Sequence, residues 1–84
     1  MDTRRLSAFV KIVDIGSLTR AADNLHVAQP ALSQQIAALE AQFRQRLLIR
    51  SKRGVVPTEA GQALYRHAQI ILRQLHQAQA EVSL

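Results

Sequence analysis

Three polar side chains near the middle of the chain have the chemistry to bind DNA bases. In a helix, Gln29 and Ser33 would share one outward row, because residues four apart lie on the same face. Pro30 and Gln34 would share the neighbouring row. A Gln amide can pair with adenine at N6 and N7, and a Ser hydroxyl can donate to or accept from almost any base. The same pattern also fits an ordinary solvated helix surface, so the stretch alone leaves both interpretations open.

This stretch is uncharged, although the chain as a whole is basic. Eleven Lys and Arg against six Asp and Glu give a net charge of +5 at pH 7, which favours a nucleic acid or an anionic membrane surface as partner. Five basic residues fall within residues 44–53, and Arg4 and Arg5 form a second group. A membrane-surface helix would set its cations opposite bulky aromatic residues, of which the chain has only two Phe and one Tyr. Nucleic acid is therefore the favoured partner.

The sequence contains no pattern typical of an enzyme or a metal site. It has no Cys, and its three His lack the spacing of metal ligands. Ser17, Ser33 and Thr58 have no His and carboxylate at a recognisable spacing for nucleophilic catalysis. No apolar run approaches the roughly 20 residues of a membrane span. We therefore expect one small cytoplasmic domain without enzymatic activity, cofactor or membrane contact, in which self-association supplements a small core.

Apolar spacing predicts three short helices in the first half of the chain. The first is capped by Asp2 or Thr3 and ends at Gly16, Ser17 caps the second, and Pro30 lies in the first turn of the third. About three residues join the second and third helices, which predicts a helix-turn-helix over residues 18–37. The expected buried faces are Leu6, Phe9, Val10 and Val13; Leu18, Ala21, Ala22 and Leu25; and Leu32, Ile36, Leu39 and Phe43.

A two-stranded wing is predicted over residues 47–57. Apolar residues 47–49 and 55–56 flank the turn SKRG, in which Gly54 can supply a positive φ. The tip would carry Arg50, Lys52 and Arg53, placed to reach a minor groove whose negative potential attracts Arg. Charged turns are more often simply solvated, so this contact is an expectation.

Four residues are candidates for contacts with the DNA phosphates. Arg4 and Arg5 lie at the start of the first helix, while Ser17 and Thr19 lie where backbone N–H groups of the second helix are free. For the two Arg, an ordinary surface role is an equally good interpretation.

The last helix is predicted to begin after Thr58 and to be about 25 residues, or about 37 Å, long. Its apolar residues alternate steps of four and three, as in a heptad seam, which predicts a homodimer. The alternative is that the helix folds back on its own domain. The predicted seam is Leu64, Ala68, Ile71, Leu75, Ala78 and Val82.

These motifs together resemble the N-terminal domain of the LysR-type transcriptional regulators. GSLTRAADNL, residues 16–25, is followed at the family spacing by QPALS, residues 29–33, and by Leu39 and Glu40. LLIR and PTEAG follow, so the resemblance covers essentially the whole chain. Within the family, the stretches VKIVDIGSLT and AQPALSQQ are most similar to the nitrogen-assimilation control proteins of enteric-type bacteria.

The resemblance implies a mainly α fold, with a winged helix-turn-helix in residues 1–58 and a dimerising linker helix in residues 59–84. It implies a bacterial, nucleoid-associated regulator that binds double-stranded DNA sequence-specifically, as a dimer on an inverted repeat. Further expectations are an effector-binding domain C-terminal to this chain and absent from it, a tetramer of the full-length protein, and contact with RNA polymerase. The residues implied to touch the major groove are Gln29, Pro30, Ser33 and Gln34, and those in the wing are Arg50 and Arg53.

The chain departs from the family pattern at three positions. Ala28 replaces a Ser or Thr cap, which weakens the start of the third helix by about 1 kcal/mol. Arg44 replaces a Gly that can adopt the left-handed conformation freely, and Leu48 replaces a common Phe under the wing. Two other functions stay open at this point: a non-specific architectural nucleic-acid binder, and a winged helix used only for protein assembly.

Overall fold

The computed structural model describes residues 2–83, which form four helices and one two-stranded antiparallel sheet. The predicted mainly α winged helix-turn-helix with a long last helix is confirmed. In chain order the elements are α1 (Thr3–Ile15), α2 (Leu18–Leu25), α3 (Gln29–Phe43), β1 (Leu48–Ser51), β2 (Gly54–Pro57) and α4 (Glu59–Val82).

Side-chain hydrogen bonds from the residue just before the helix cap α1, α2 and α4, but not α3. The Asp2 carboxylate accepts the backbone N–H of Arg4 at 2.8 Å, so Asp2, rather than Thr3, caps α1. The Ser17 hydroxyl caps α2. Before α3, the N-cap residue is Ala28, which offers no side-chain acceptor, and Pro30 lies in the first turn. Such a missing cap costs about 1 kcal/mol, so α3 depends on its packing for stability.

Two helices end at a non-glycine residue in the left-handed conformation. His26 ends α2 with φ 57°, and Arg44 ends α3 with φ 55°. Arg44 therefore adopts the left-handed conformation, which costs a residue other than glycine roughly 1–2 kcal/mol. Its backbone N–H bonds to carbonyls of the last turn, which closes α3 in place of a glycine.

The core is built around α1, which contacts α2, α3 and α4. Leu6 and Phe9 are buried as predicted, but Val10 and Val13 are only half-buried, because the inward face of α1 is centred on Phe9 and Ile12. Most of the predicted buried residues of α2 and α3 are buried, and Leu25 is half-buried. The largest fully buried side chains are Phe9, Leu6, Ile12, Leu32, Leu39 and Leu47.

The prediction that Phe43 is buried was wrong. The side chain is 37% exposed, because it lies on the last residue of α3, beyond the part of the helix that α1 covers. It borders an open apolar groove between the end of α3 and α4, which Leu47 and Leu64 also line.

The wing is anchored to the loop between α1 and α2. β1 and β2 pair in the register Ile49 with Val56 and Ser51 with Gly54. The backbone N–H of Val55 donates to the Gly16 carbonyl at 3.0 Å. Gly54 has φ 125°, as the turn was predicted to require, and a Cβ there would overlap the Gly16 carbonyl oxygen. Glycine at position 54 is thus needed both for the turn and for the close approach of the wing to α1.

The first half of α4 packs on the domain, and the second half extends away from it. Leu64 and Ala68, the first two residues of the predicted dimer seam, are buried in the core of the single chain. They continue the apolar period of α4 but already belong to the hydrophobic core of the domain. Beyond them Ile71, Leu75 and Val82 are exposed, and the domain measures 46 × 26 × 19 Å.

A polar contact links α4 to α1. The Tyr65 hydroxyl donates a short hydrogen bond to the Asp14 carboxylate of α1, and Gln69 Nε2 donates to the Tyr65 hydroxyl at 3.1 Å. The Asp14 carboxylate holds the phenolic proton, with a smaller contribution from partial desolvation, and so raises the pKa of Tyr65 above its usual value.

Candidate nucleic-acid interface

The first turn of α3 presents uncharged polar groups on the surface. Gln29, Pro30 and Gln34 are exposed and Ser33 is half-buried, while Leu32 and Ile36 face the core. The four predicted base-reading residues therefore lie together on the outward side of one helix. The opposite face of α3 packs in the core, so the polar side chains of the first turn remain on the surface.

The turn before α3 fixes its position relative to α2. The backbone N–H of Val27 donates to the Ala22 carbonyl at 3.0 Å, and that of Leu32 donates to the Ala28 carbonyl at 3.1 Å. With His26 in the left-handed conformation, the chain reverses over residues 26–28. α3 therefore starts within side-chain reach of the start of α2.

One hydrogen bond joins these two helix starts. The Thr19 hydroxyl, in the first turn of α2, donates to Gln29 Oε1 at 3.1 Å. The sequence predicts different contacts for these two residues, a phosphate for Thr19 and a base for Gln29. The structure brings them together, and no local sequence pattern could have indicated this, because the pairing depends on the turn geometry.

The wing tip exposes three basic side chains. Lys52 and Arg53 occupy the turn between β1 and β2, and Arg50 lies on β1. The Ser51 hydroxyl accepts the backbone N–H of Arg53 at 3.3 Å, which fixes the turn backbone. Within residues 2–83 these three side chains form no ion pair with a carboxylate, so their charges are available to a polyanion.

Glu40 ties the base of the wing to α3. Its Oε2 accepts the backbone N–H groups of Leu47 at 2.8 Å and of Leu48 at 3.4 Å, and it lies 3.5 Å from Arg46 Nε. The carboxylate is mostly buried, with 20% of the side chain exposed, whereas Arg46 is 75% exposed. Glu40 therefore acts mainly through the backbone bonds, since an exposed ion pair adds little. In the sequence Glu40 stands out only as part of a family motif, and no local pattern indicates this contact with the wing.

Thr58 connects the wing to α4 in a similar way. Its hydroxyl accepts the backbone N–H of Gly61 at 3.0 Å, as predicted for a cap, and also donates to the Arg46 carbonyl at 2.6 Å. Its own N–H donates to the Leu47 carbonyl at 3.0 Å. The segment just before β1 is thus bonded to Glu40 of α3 on one side and to Thr58, the N-cap of α4, on the other.

The remaining predicted phosphate contacts are divided between two regions. Ser17 caps α2 beside the wing anchor, with its hydroxyl accepting the Arg20 N–H at 3.2 Å. Arg4 and Arg5 lie in the first turn of α1, at the opposite end of that helix from Gly16 and about 20 Å away from it. The structure therefore groups Ser17 and Thr19 with the wing and α3, but not the two Arg.

The described part of the chain contains no cluster of three or more His, Asp or Glu that could hold a metal ion. None of its helices is long and apolar enough to cross a membrane.

Comparison with known proteins identifies relatives of the whole chain. A family model described as a bacterial regulatory helix-turn-helix protein of the lysR family matches residues 3–62. The chain is 68% identical over 83 residues to the nitrogen assimilation regulatory protein nac of Klebsiella aerogenes, covering 99% of this chain and 27% of that protein.

Solved structures of DNA complexes have the same fold. The complex of the CbnR DNA-binding domain with DNA matches with a TM-score of 0.92 and 36% identity, over 99% of this chain and 95% of that chain. The complex of the BenM DNA-binding domain with benA site 1 DNA matches with a TM-score of 0.93 and 38% identity, over 99% of this chain and 96% of that chain.

Proposed function

The chain belongs to the LysR family of bacterial helix-turn-helix regulators, and on this premise we propose that it binds double-stranded DNA sequence-specifically through α3. The proposal rests on the first turn of α3. Its polar side chains are exposed, while the apolar side chains on the opposite face of the helix are buried in the core. A helix of this kind fits the major groove and brings its N-terminal side chains to the base edges. Gln29, Ser33 and Gln34 supply the donors and acceptors, and Pro30 supplies apolar contact.

In this proposal the basic wing attracts the DNA backbone, and the start of α3 recognises the bases. Arg50, Lys52 and Arg53 bind the DNA backbone and the adjacent minor groove, where attraction to phosphate requires charge but little geometry. The start of α3 is uncharged, so its directional hydrogen bonds discriminate between sequences. The fixed wing backbone and the unpaired basic side chains support this division.

Additional phosphate contacts are proposed at two places. The first turn of α2, between Ser17 and Thr19, directs backbone N–H groups outward, and such groups bind phosphate oxygens well. Arg4 and Arg5 lie farther from this surface, so their contact with DNA requires a duplex that extends along α1.

Dimerisation is proposed through the second half of α4. Ile70 and Val82 are 61% and 83% exposed, and Ile71, Leu75 and Ala78 lie between them on the exposed helix. Because Leu64 and Ala68 are occupied by the core, the proposed seam starts at Ile71 and not at Leu64. Two-fold pairing would place two copies of α3 on an inverted repeat, with half-sites about one helical turn apart or a multiple of it.

The properties of the whole regulator are further proposals. The chain spans about a quarter of the length of the Klebsiella relative, at 27%. We propose that the regulator acts at bacterial cytoplasmic DNA in the control of nitrogen assimilation, through a C-terminal effector-binding domain. A tetramer and contact with RNA polymerase belong to the same proposal.

Selection of binding sites from a random DNA pool with this chain tests the proposed function. We expect enrichment of one inverted repeat, with conserved positions separated by about one helical turn. A pool that binds without enrichment would show a non-specific architectural binder instead, and no binding at all would favour a function in protein assembly.

A further inference from the structure

The Gln29 side chain is flexible in principle but held in this structure. A Gln has several rotatable bonds and loses much conformational freedom when it must adopt one geometry on a base. Here the Thr19 hydroxyl donates to Oε1 at 3.1 Å although both residues are exposed. Thr is β-branched and therefore has few rotamers, so a stiff side chain on one helix anchors a flexible one on the next.

The direction of this hydrogen bond orients the amide. A hydroxyl that donates to Oε1 points the carbonyl side of the amide toward α2 and leaves the two Nε2 hydrogens on the other side. No group of residues 2–83 accepts a hydrogen bond from Nε2. An amide held in this way has a free donor and can still accept one further hydrogen bond at Oε1.

We propose that Thr19 is a positioning residue for base recognition, which holds the Gln29 amide with Oε1 toward α2 and Nε2 toward the DNA. This inference rests on the proposed function, because it requires Gln29 to bind a base. Thr19 raises sequence preference by ordering Gln29 before the DNA arrives, which lowers the cost of binding. It differs from a phosphate contact, which would raise affinity for all sequences alike.

The test is a double-mutant cycle with Thr19→Val and Gln29→Ala in the 84-residue chain. Affinity is measured for the inverted repeat enriched from a random pool, for its single base-pair variants and for a scrambled duplex, at several salt concentrations. Val has the shape of Thr without the hydroxyl, and Thr19→Ser is the matched control that retains it. Thr19→Ala repeats the measurement if Thr19→Val lowers the melting temperature.

We expect Gln29→Ala to abolish the preference at one base pair of each half-site. Thr19→Val should lower the preference at the same base pair by about three- to tenfold, the range that one neutral hydrogen bond contributes. Thr19→Ser should retain the preference, and Thr19→Val should have no further effect on it when Gln29 is already Ala. Affinity for the scrambled duplex should not change.

Two results would overturn the inference while leaving the proposed function intact. The first is a Gln29-dependent preference that Thr19→Val does not alter. The second is an equal loss of affinity for all duplexes on Thr19→Val with a smaller salt dependence, which would make Thr19 a phosphate contact. If Gln29→Ala changes no base preference, both the base-reading role of Gln29 and the positioning role of Thr19 are wrong.

Discussion

The Glu40 carboxylate accepts the backbone N–H of Leu47 at 2.8 Å, across the loop between α3 and the wing. The same oxygen also accepts the Leu48 N–H, so one side chain of α3 binds the first two residues of the wing segment. Hydrogen bonds inside the domain thus hold the start of the wing segment against α3, and with it the spacing between the two surfaces proposed to contact DNA.

Replacing Glu40 should therefore destabilise the domain. Glu40→Ala leaves two N–H groups without their partner, and hydrogen bonds to a charged group contribute about 2 kcal/mol. We expect the free energy of unfolding, measured with urea, to fall by about this amount. Glu40→Gln retains an acceptor of the same shape and should lose clearly less. Equal losses in the two variants would contradict a role through the backbone bonds.

Removing charge from the wing tip should weaken binding without changing sequence preference. Arg53→Ala is expected to lower affinity for all duplexes and to reduce the salt slope by about one unit for a lost phosphate contact. Fluorescence anisotropy over a range of salt concentrations measures both quantities. Arg73→Ala, which removes the same charge from the distal half of α4, is the control. An unchanged slope for Arg53→Ala would show that Arg53 binds no phosphate.

A charge in the exposed seam should separate the protomers. Leu75 is 36% exposed in the single chain, so Leu75→Asp should leave the domain folded. We expect sedimentation to give the single-chain mass of 9.4 kDa for this variant. Gln77 lies on the opposite side of α4 from Leu75, so the control variant Gln77→Asp should remain dimeric. If Leu75→Asp also remains dimeric, the interface is elsewhere.

The contact between Tyr65 and Asp14 should make stability depend on alkaline pH. The carboxylate raises the pKa of Tyr65, so the folded state favours the protonated phenol. This stabilisation is fully present below the ordinary Tyr pKa of about 10 and is lost as the pH rises through the higher folded value. Urea unfolding between about pH 8 and pH 11 should show a steeper loss of stability for the wild type than for Tyr65→Phe. Parallel curves would show that the contact does not contribute.

The sequence predicts the elements of this domain because their signals are local. Caps at Asp2 and Ser17, the apolar period of α3 and the glycine of the wing turn each act within a few residues, and the structure has the corresponding elements. The surface of α3 could be predicted for the same reason, since its exposed face follows from its buried one.

The errors arise where packing between distant segments decides. The heptad of α4 is continuous in the sequence, and only the folded core shows that Leu64 and Ala68 are already buried. Phe43 continues the period of α3 past the end of the core. The contacts of Glu40 with Leu47 and of Thr19 with Gln29 join separate elements, and no periodicity encodes them.

Recognition of bases by the start of α3 can be measured in a competition assay with Ser33→Ala. Binding to the selected inverted repeat and to a scrambled duplex is compared at physiological salt, with Gln62→Ala on α4 as a control outside the proposed surface. We expect Ser33→Ala to lose about 1–3 kcal/mol of binding free energy on the inverted repeat and almost nothing on the scrambled duplex. An equal loss on both duplexes, or a wild type without preference between them, would contradict it.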